Sequence, residues 1–205
     1  PQSLAYKADQ AESLSIHYGV PVSPLSDGEA NALSTNIDLM TVPEKVQLAT
    51  TLNEAPAVWG QISEKNQQQF SMAGATGDKV LMSTVFTGQD LLKNKLVTPA
   101  KQGDYLSVSD EFLGNVYGTQ DKASILEAAK SHYAATVGNT DVFDETGWET
   151  SLSAVTGGIA EINGNKLELP RGVDEDTFED FIDDFSSAQV EKLGGALGFT
   201  NEQAA

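Results

Sequence analysis

Apolar residues recur at every third or fourth position along most of the first 138 residues, which predicts a series of amphipathic helices. Glycines, prolines and capping residues mark the breaks between them. A helix over residues 2–18 should end at Gly19, because glycine adopts the left-handed cap conformation without strain. Ser26 followed by Glu29 predicts a capping box at the start of the second helix.

The same signals predict the helices that follow. Thr41 is expected to cap the third helix, with Pro43 and Glu44 in its first turn. Asp78 is expected to start a later helix in the same way. The other predicted elements are a helix restarting at Pro56, a loop over Pro99–Asp104, a short helix ended by Gly118 and a long helix over residues 120–136.

The last third of the chain has a different pattern. Residues Ile159–Leu169 alternate apolar and polar side chains around Asn163-Gly164, which is typical of a tight β-hairpin. Glu161 and Lys166 are expected to pair across its strands. A short helix should follow, and Ser187 is expected to cap a separate last helix. The short helix carries an apolar stripe at spacings i, i+3, i+4 and i+7, formed by Phe178, Phe181, Ile182 and Phe185.

These elements predict a mainly α fold: an irregular multi-helix bundle with a small C-terminal β-hairpin plus short helices. The balance of charge changes after Gly138, since residues 1–138 hold nine basic and fifteen acidic side chains, whereas residues 139–205 hold three and fifteen. We therefore expect a helical domain followed by an acidic hairpin-and-helix subdomain. The chain starts at Pro1 without a signal-peptide pattern, so we expect a processed chain or a segment of a longer polypeptide.

Composition narrows the classes of function. The 205 residues contain no cysteine, which excludes disulfides, thiolate metal sites and a thiol nucleophile. The net charge is −18 and the chain has a single arginine, Arg171. Nucleic acids and anionic membranes bind clustered lysine and arginine, so we expect direct binding to neither. No apolar run is long enough to span a bilayer.

Two candidate catalytic or binding motifs do not meet their chemical requirements. The loop Gly74–Val80 resembles a phosphate-binding loop, but Asp78 precedes its lysine where a glycine is needed and Val80 replaces the magnesium-binding hydroxyl. The two histidines, His17 and His132, have no Gly-x-Ser-x-Gly nucleophile motif to work with. His132 is therefore interpreted as a boundary residue of its helix.

Carboxylate chemistry is the enzyme class that the sequence excludes least. Glycoside hydrolysis needs two carboxyl groups flanking a cleft, and Asp110-Glu111 and Asp144-Glu145 provide such pairs. Trp148 and Tyr117 could then stack on a sugar. A peptidoglycan hydrolase acting through Glu111 or Glu145 is the alternative function on this basis. Thirty acidic residues offer such pairs by chance, however, and we expect no enzymatic activity and no cofactor or metal.

The densest acidic stretch is Asp174–Asp184, in which seven of eleven residues are acidic. It lacks the glycine of a calcium-binding loop and carries the apolar stripe instead. A solvated helix face is the simplest interpretation, and an acidic adaptor that binds a basic partner is a further alternative. The candidate partner contacts are Phe178, Phe181, Ile182, Phe185, Asp180 and Asp184.

Two longer stretches suggest a setting for such a contact protein. They are His17–Asp27, followed by the helix starting at Thr41–Val46, and Ile162–Pro170, followed by Val173–Phe181. This combination resembles the non-catalytic helical region of very large virion proteins of tailed bacteriophages, the internal or ejection-type proteins. Some of these proteins also carry a lytic transglycosylase domain, whose Glu-Ser and Gly-Leu-Met-Gln motifs do not occur here.

The resemblance implies a non-enzymatic structural component of a phage particle that acts through protein–protein packing. Its partners would be other virion proteins and further copies of itself as a homo-oligomer. Its location would be the virion, or otherwise the cytoplasm of the infected bacterium.

Overall fold

A computed structural model describes residues 3–74, 78–139, 142–162, 164–170 and 173–197. These residues form a mainly helical protein with one two-stranded antiparallel hairpin, which confirms the predicted fold class. In chain order the elements are α1 (Leu4–Tyr18), α2 (Asp27–Ile37), α3 (Val42–Glu54), α4 (Pro56–Trp59), α5 (Glu64–Gly74), α6 (Lys79–Lys93), α7 (Gln102–Leu113), α8 (Thr119–Thr136), α9 (Glu145–Thr156), β1 (Ile159–Ile162), β2 (Asn165–Glu168) and α10 (Glu175–Leu197).

Local capping chemistry sets the helix boundaries in the first half, as predicted. Gly19 ends α1 in the left-handed conformation, with φ of 67°. The Ser26–Glu29 capping box starts α2. Bonds from Lys7 and Ser26 lower the pKa of the Glu29 carboxyl to about 2. Asp78 caps α6 by accepting hydrogen bonds from the first-turn backbone N–H groups.

The predicted boundaries of α7 are wrong. The helix begins at Gln102, inside the predicted loop, and ends before Gly114 rather than at Gly118. Gly114 has φ of 50°, a conformation that glycine adopts readily, so the chain leaves the helix there. Gly118 instead occupies the N-cap position of α8. The buried side of α7 carries Tyr105, while Leu106 is exposed.

A first hydrophobic core lies among α1 to α6. The rings of Phe70 on α5 and Phe86 on α6 meet edge to face, with centroids 5.3 Å apart. Lys45 of α3 is buried at its margin, and its Nζ lies 2.7 Å from an Asp90 carboxylate oxygen on α6. This pairing matters because an unpaired buried ammonium would be strongly destabilising.

A second core lies among α7, α8 and α9 and is centred on Trp148. The indole is fully buried between the rings of Tyr105 and Tyr133, and its Nε1–H donates to the Ser109 hydroxyl at 3.1 Å. The helix α9 that supplies Trp148 was not predicted. This core takes side chains from both sides of Gly138, so α9 packs on the helical region across the predicted domain boundary. The division at that boundary stays a prediction.

A close approach of α6 and α8 joins the two cores. At Gly88 of α6, a Cβ atom would lie 1.6 Å from the backbone oxygen of Ser131 on α8. Only a residue without a side chain fits between two backbones at this spacing. The Ser131 hydroxyl donates to the Glu127 carbonyl of its own helix at 2.9 Å, so it needs no room in the interface.

The hairpin forms around Gly164 with the predicted register, in which Glu161 faces Lys166. The expected pair is not closed by an ion pair, however. The Lys166 amine donates to the backbone carbonyl of Glu111 at the end of α7, while its stem lies over Gly114. This contact connects the hairpin to the second core.

The prediction of two helices after the hairpin is wrong, since α10 continues through Ser187 to Leu197. Serine is only mildly unfavourable inside a helix, and neither proline nor glycine interrupts the chain between Phe185 and Gly194. The helix is 23 residues long, or about 34 Å at the usual rise per residue. None of the helices that the structure describes is both long and apolar enough to cross a membrane.

Replacing Gly88 by alanine should destabilise the protein by about 3 kcal/mol or more, since the added methyl group meets a backbone atom that cannot rotate away. Gly28→Ala is the matched control. Gly28 lies in α2 with open space where the methyl group would be added, and alanine there should be neutral or stabilising by up to about 1 kcal/mol. Urea denaturation of both variants measures the difference. Equal stability of the two would contradict the close packing.

Candidate interaction surface on α10

The apolar stripe of α10 is partly covered and partly exposed. Phe178 and Ile182 are half-buried, whereas Phe181 and Phe185 are 60% and 54% exposed. The rings of the two exposed residues stack on each other, with centroids 6.2 Å apart. Large aromatic side chains this exposed and adjacent are typical of contact surfaces. We call this pair the Phe edge.

A local cap sets the start of α10, and a hydrogen bond joins this end of the helix to the hairpin. Asp174 precedes the helix, and its carboxylate accepts bonds from the backbone N–H and hydroxyl of Thr177. These bonds lower the pKa of the Asp174 carboxyl. In the first turn, Glu175 accepts a hydrogen bond from the backbone N–H of Glu161 on β1, at 3.1 Å. The helix is thus joined to the exposed edge of the hairpin.

A groove of about 570 Å³ lies between α10, the hairpin and the turn after α7. Ile182 lines it from α10, Leu167 from β2, and Val116 from the turn. Because Ile182 belongs to the same stripe as the Phe edge, the groove and the Phe edge form one continuous surface.

The acidic side chains of α10 occupy the helix surface outside the apolar stripe. At about 100° per residue, Asp180 and Asp184 point outward, next to the Phe edge. Glu179 and Asp183 lie on the opposite flank. All four are exposed. The structure therefore places the six predicted contact residues on one helix: Ile182 lines the groove, Phe178 is half-buried, and the other four are exposed.

His132 and Ser151 lie at hydrogen-bond distance, with 3.0 Å between Nδ1 and Oγ. The arrangement does not suit nucleophilic catalysis. Ser151 is fully buried, and its single hydroxyl proton goes to the Gly147 carbonyl, which can only accept. The histidine must then donate from Nδ1 instead of accepting the serine proton. It acts as a packing contact between α8 and α9, and burial lowers the pKa of its imidazole.

The Asp144-Glu145 pair has no exposed tryptophan beside it. Trp148 is 0% exposed and cannot stack on a sugar. Asp144 is the N-cap of α9 and accepts from the Gly147 N–H at 3.0 Å. The sugar-stacking role proposed for Trp148 is therefore wrong, because the indole fills the second core.

The remaining sequence candidates form no site in the part of the chain that is described. Residues 75–77 of the phosphate-like loop lie outside the described residues, as does Arg171. Asp78 already accepts from the Val80 N–H that an anion would need at the start of α6. Across the described ranges, no three histidine, aspartate or glutamate side chains cluster as metal ligands would.

Comparison with known proteins adds no assignment: no protein-family model, no curated protein and no solved structure matches this chain. The surface on α10 must therefore be judged on its own geometry. Sequence reasoning found its stripe from helical spacing. It missed the groove beside the stripe, because Val116 and Leu167 reach it from segments distant in sequence.

The half-buried position of His132 makes the stability of the α8–α9 packing dependent on pH. Its folded-state pKa is lowered, so the unfolded chain takes up a proton more readily than the folded one. The resulting stabilisation is complete above the unfolded pKa of about 6.5 and is lost as the pH falls through the folded value. We expect the free energy of unfolding to decrease between pH 7.5 and 5.5, by no more than about 1.4 kcal/mol per pH unit.

Urea denaturation at several pH values measures this effect. His132→Gln should remove most of the decrease, and His17→Gln should retain it, because His17 is exposed at the end of α1. The same decrease in both variants would rule out His132 as its source.

Proposed function

We propose that this chain is a non-enzymatic contact protein whose working surface is the Phe edge of α10 with the adjoining groove. The observation that supports this proposal is the exposure of Phe181 and Phe185 on a helix fixed to the body at its start. Burying two phenylalanine side chains contributes on the order of several kcal/mol to association. A protein that leaves such a pair in water gains most from a partner that covers it.

The setting that we propose is a bacteriophage particle, in which the chain packs against neighbouring virion proteins or further copies of itself. This part rests on the resemblance of His17–Asp27 and Ile162–Pro170 to internal virion proteins. A non-enzymatic role agrees with the positions of Asp78, Asp144 and His132, which serve as helix caps and a packing contact. The strongly acidic surface would keep such a protein soluble before assembly.

Mass spectrometry of purified particles tests the setting directly. Peptides of this chain should be found in intact particles, within a longer polypeptide if the chain is a segment of one. Finding the chain in infected-cell cytosol and never in particles would contradict the proposal.

Substitution of the Phe edge tests the surface. In Phe181→Ala/Phe185→Ala, incorporation into particles should fall by about tenfold or more, because exposed aromatic residues are the usual anchors of an interface. The control is Leu39→Ala/Val80→Ala, which removes two side chains that are 79% and 75% exposed elsewhere. Both double variants should keep wild-type stability within about 1 kcal/mol, since they change exposed positions. Equal incorporation of the two would exclude the Phe edge as the contact.

A further inference from the structure

We infer that the occupant of the Phe edge is a cationic amphipathic helix of another protein, laid along α10 at the mouth of the groove. This inference rests on the proposed function, because it names the partner of the same surface. The shape, residue spacing and charge of the surface each favour this occupant.

The shape of the surface favours a helix. Phe178, Phe181 and Phe185 follow one another at the i, i+3 and i+7 spacing that pairs two helices side by side. The half-buried Ile182 extends this row into the groove, where Leu167 and Val116 form an apolar wall. A helix lying beside α10 would contact the Phe edge on one side and close the groove on the other.

Charge selects the sign of the partner. Asp184 follows Phe181 by three positions and is its neighbour on the helix surface, and Asp180 lies one turn before Asp184. Both carboxylates are exposed and face the space that the outer side of a docked helix would occupy. Lysine or arginine at the edge of that helix would meet them, whereas carboxylates would be repelled.

Charge also disfavours a second copy of this chain on the Phe edge. Two copies meeting through α10 would bring together two helices that each contain six acidic residues between Glu175 and Asp184. The acidic side chains of the two helices would be separated by less than the screening length of about 8 Å at physiological salt, so they would repel each other. Self-association, where it occurs, therefore uses another surface.

The probe is a synthetic helical peptide with leucine at every third or fourth position and lysine at the flanking positions. A second peptide keeps the leucines and carries glutamate instead of lysine. Binding of each labelled peptide to the full chain is measured by fluorescence anisotropy at low and high salt. The lysine peptide should bind at least about tenfold more tightly than the glutamate peptide, and its advantage should shrink as salt screens the charges.

Because the whole chain is acidic, any cationic peptide is attracted to it, and the control must hold net charge constant. Asp180→Asn/Asp184→Asn removes the two charges beside the Phe edge. Glu179→Gln/Asp183→Asn removes two charges from the opposite flank of the same helix. The first variant should weaken binding of the lysine peptide by about tenfold and the second by less than about twofold. Phe181→Ala/Phe185→Ala should weaken it at least as much as the first.

Three results would overturn the inference: equal binding of the two peptides, equal effects of the two charge variants, or a dimer of the chain that Phe181→Ala dissociates in analytical ultracentrifugation. Each of these could occur while the chain is still found in particles, so the proposed function would survive. Conversely, selective binding of the lysine peptide by a chain absent from particles would retain the inference and refute the setting.

Discussion

The contact between Gly88 and the backbone of Ser131 is the constraint on which the rest of the fold depends. It lets α6 and α8 approach so closely that no side chain fits between them. The other face of α6 packs with α3 and α5 in the first core, and α8 packs with α9 in the second. The crossing of α6 and α8 therefore connects the two hydrophobic clusters. Interiors are packed too densely to absorb an added methyl group at such a point, so a change there would be felt by both clusters.

The position of α10 follows from this crossing through a short series of contacts. Once α8 is in place, α9 inserts Trp148 against α7, where the indole donates to Ser109. The end of α7 then holds the hairpin through the Lys166 amine, and the hairpin edge holds Glu175 at the start of α10. Each contact is polar and directional, so it fixes orientation as well as proximity. The aromatic pair on α10 thus projects from a defined place.

Sequence reasoning succeeded where structure is determined locally and failed where it depends on distant contacts. The Ser26–Glu29 box and the hairpin around Gly164 are set by neighbouring residues, and both were predicted. The helix α9 was missed and α7 misplaced because their buried faces include serines that look polar in a sequence. Ser109 and Ser151 donate their hydroxyl protons to carbonyls one turn back in their own helices, which removes the cost of burying them. The stripe on α10 is equally local, whereas the groove beside it requires knowing that Lys166 reaches Glu111.

The distribution of tryptophan gives the molecule two optical probes in different environments. The chain contains two tryptophans. Trp59 is half-buried against the first core, while Trp148 is enclosed in the second. Their emission spectra should differ in wavelength and in access to quenchers, since only one indole reaches water. Each cluster can therefore be followed separately as it melts, and coincidence of the two signals is the criterion for a single cooperative unit. Because the chain contains no disulfide, the two tryptophan signals report whether packing alone makes the two hydrophobic clusters unfold together.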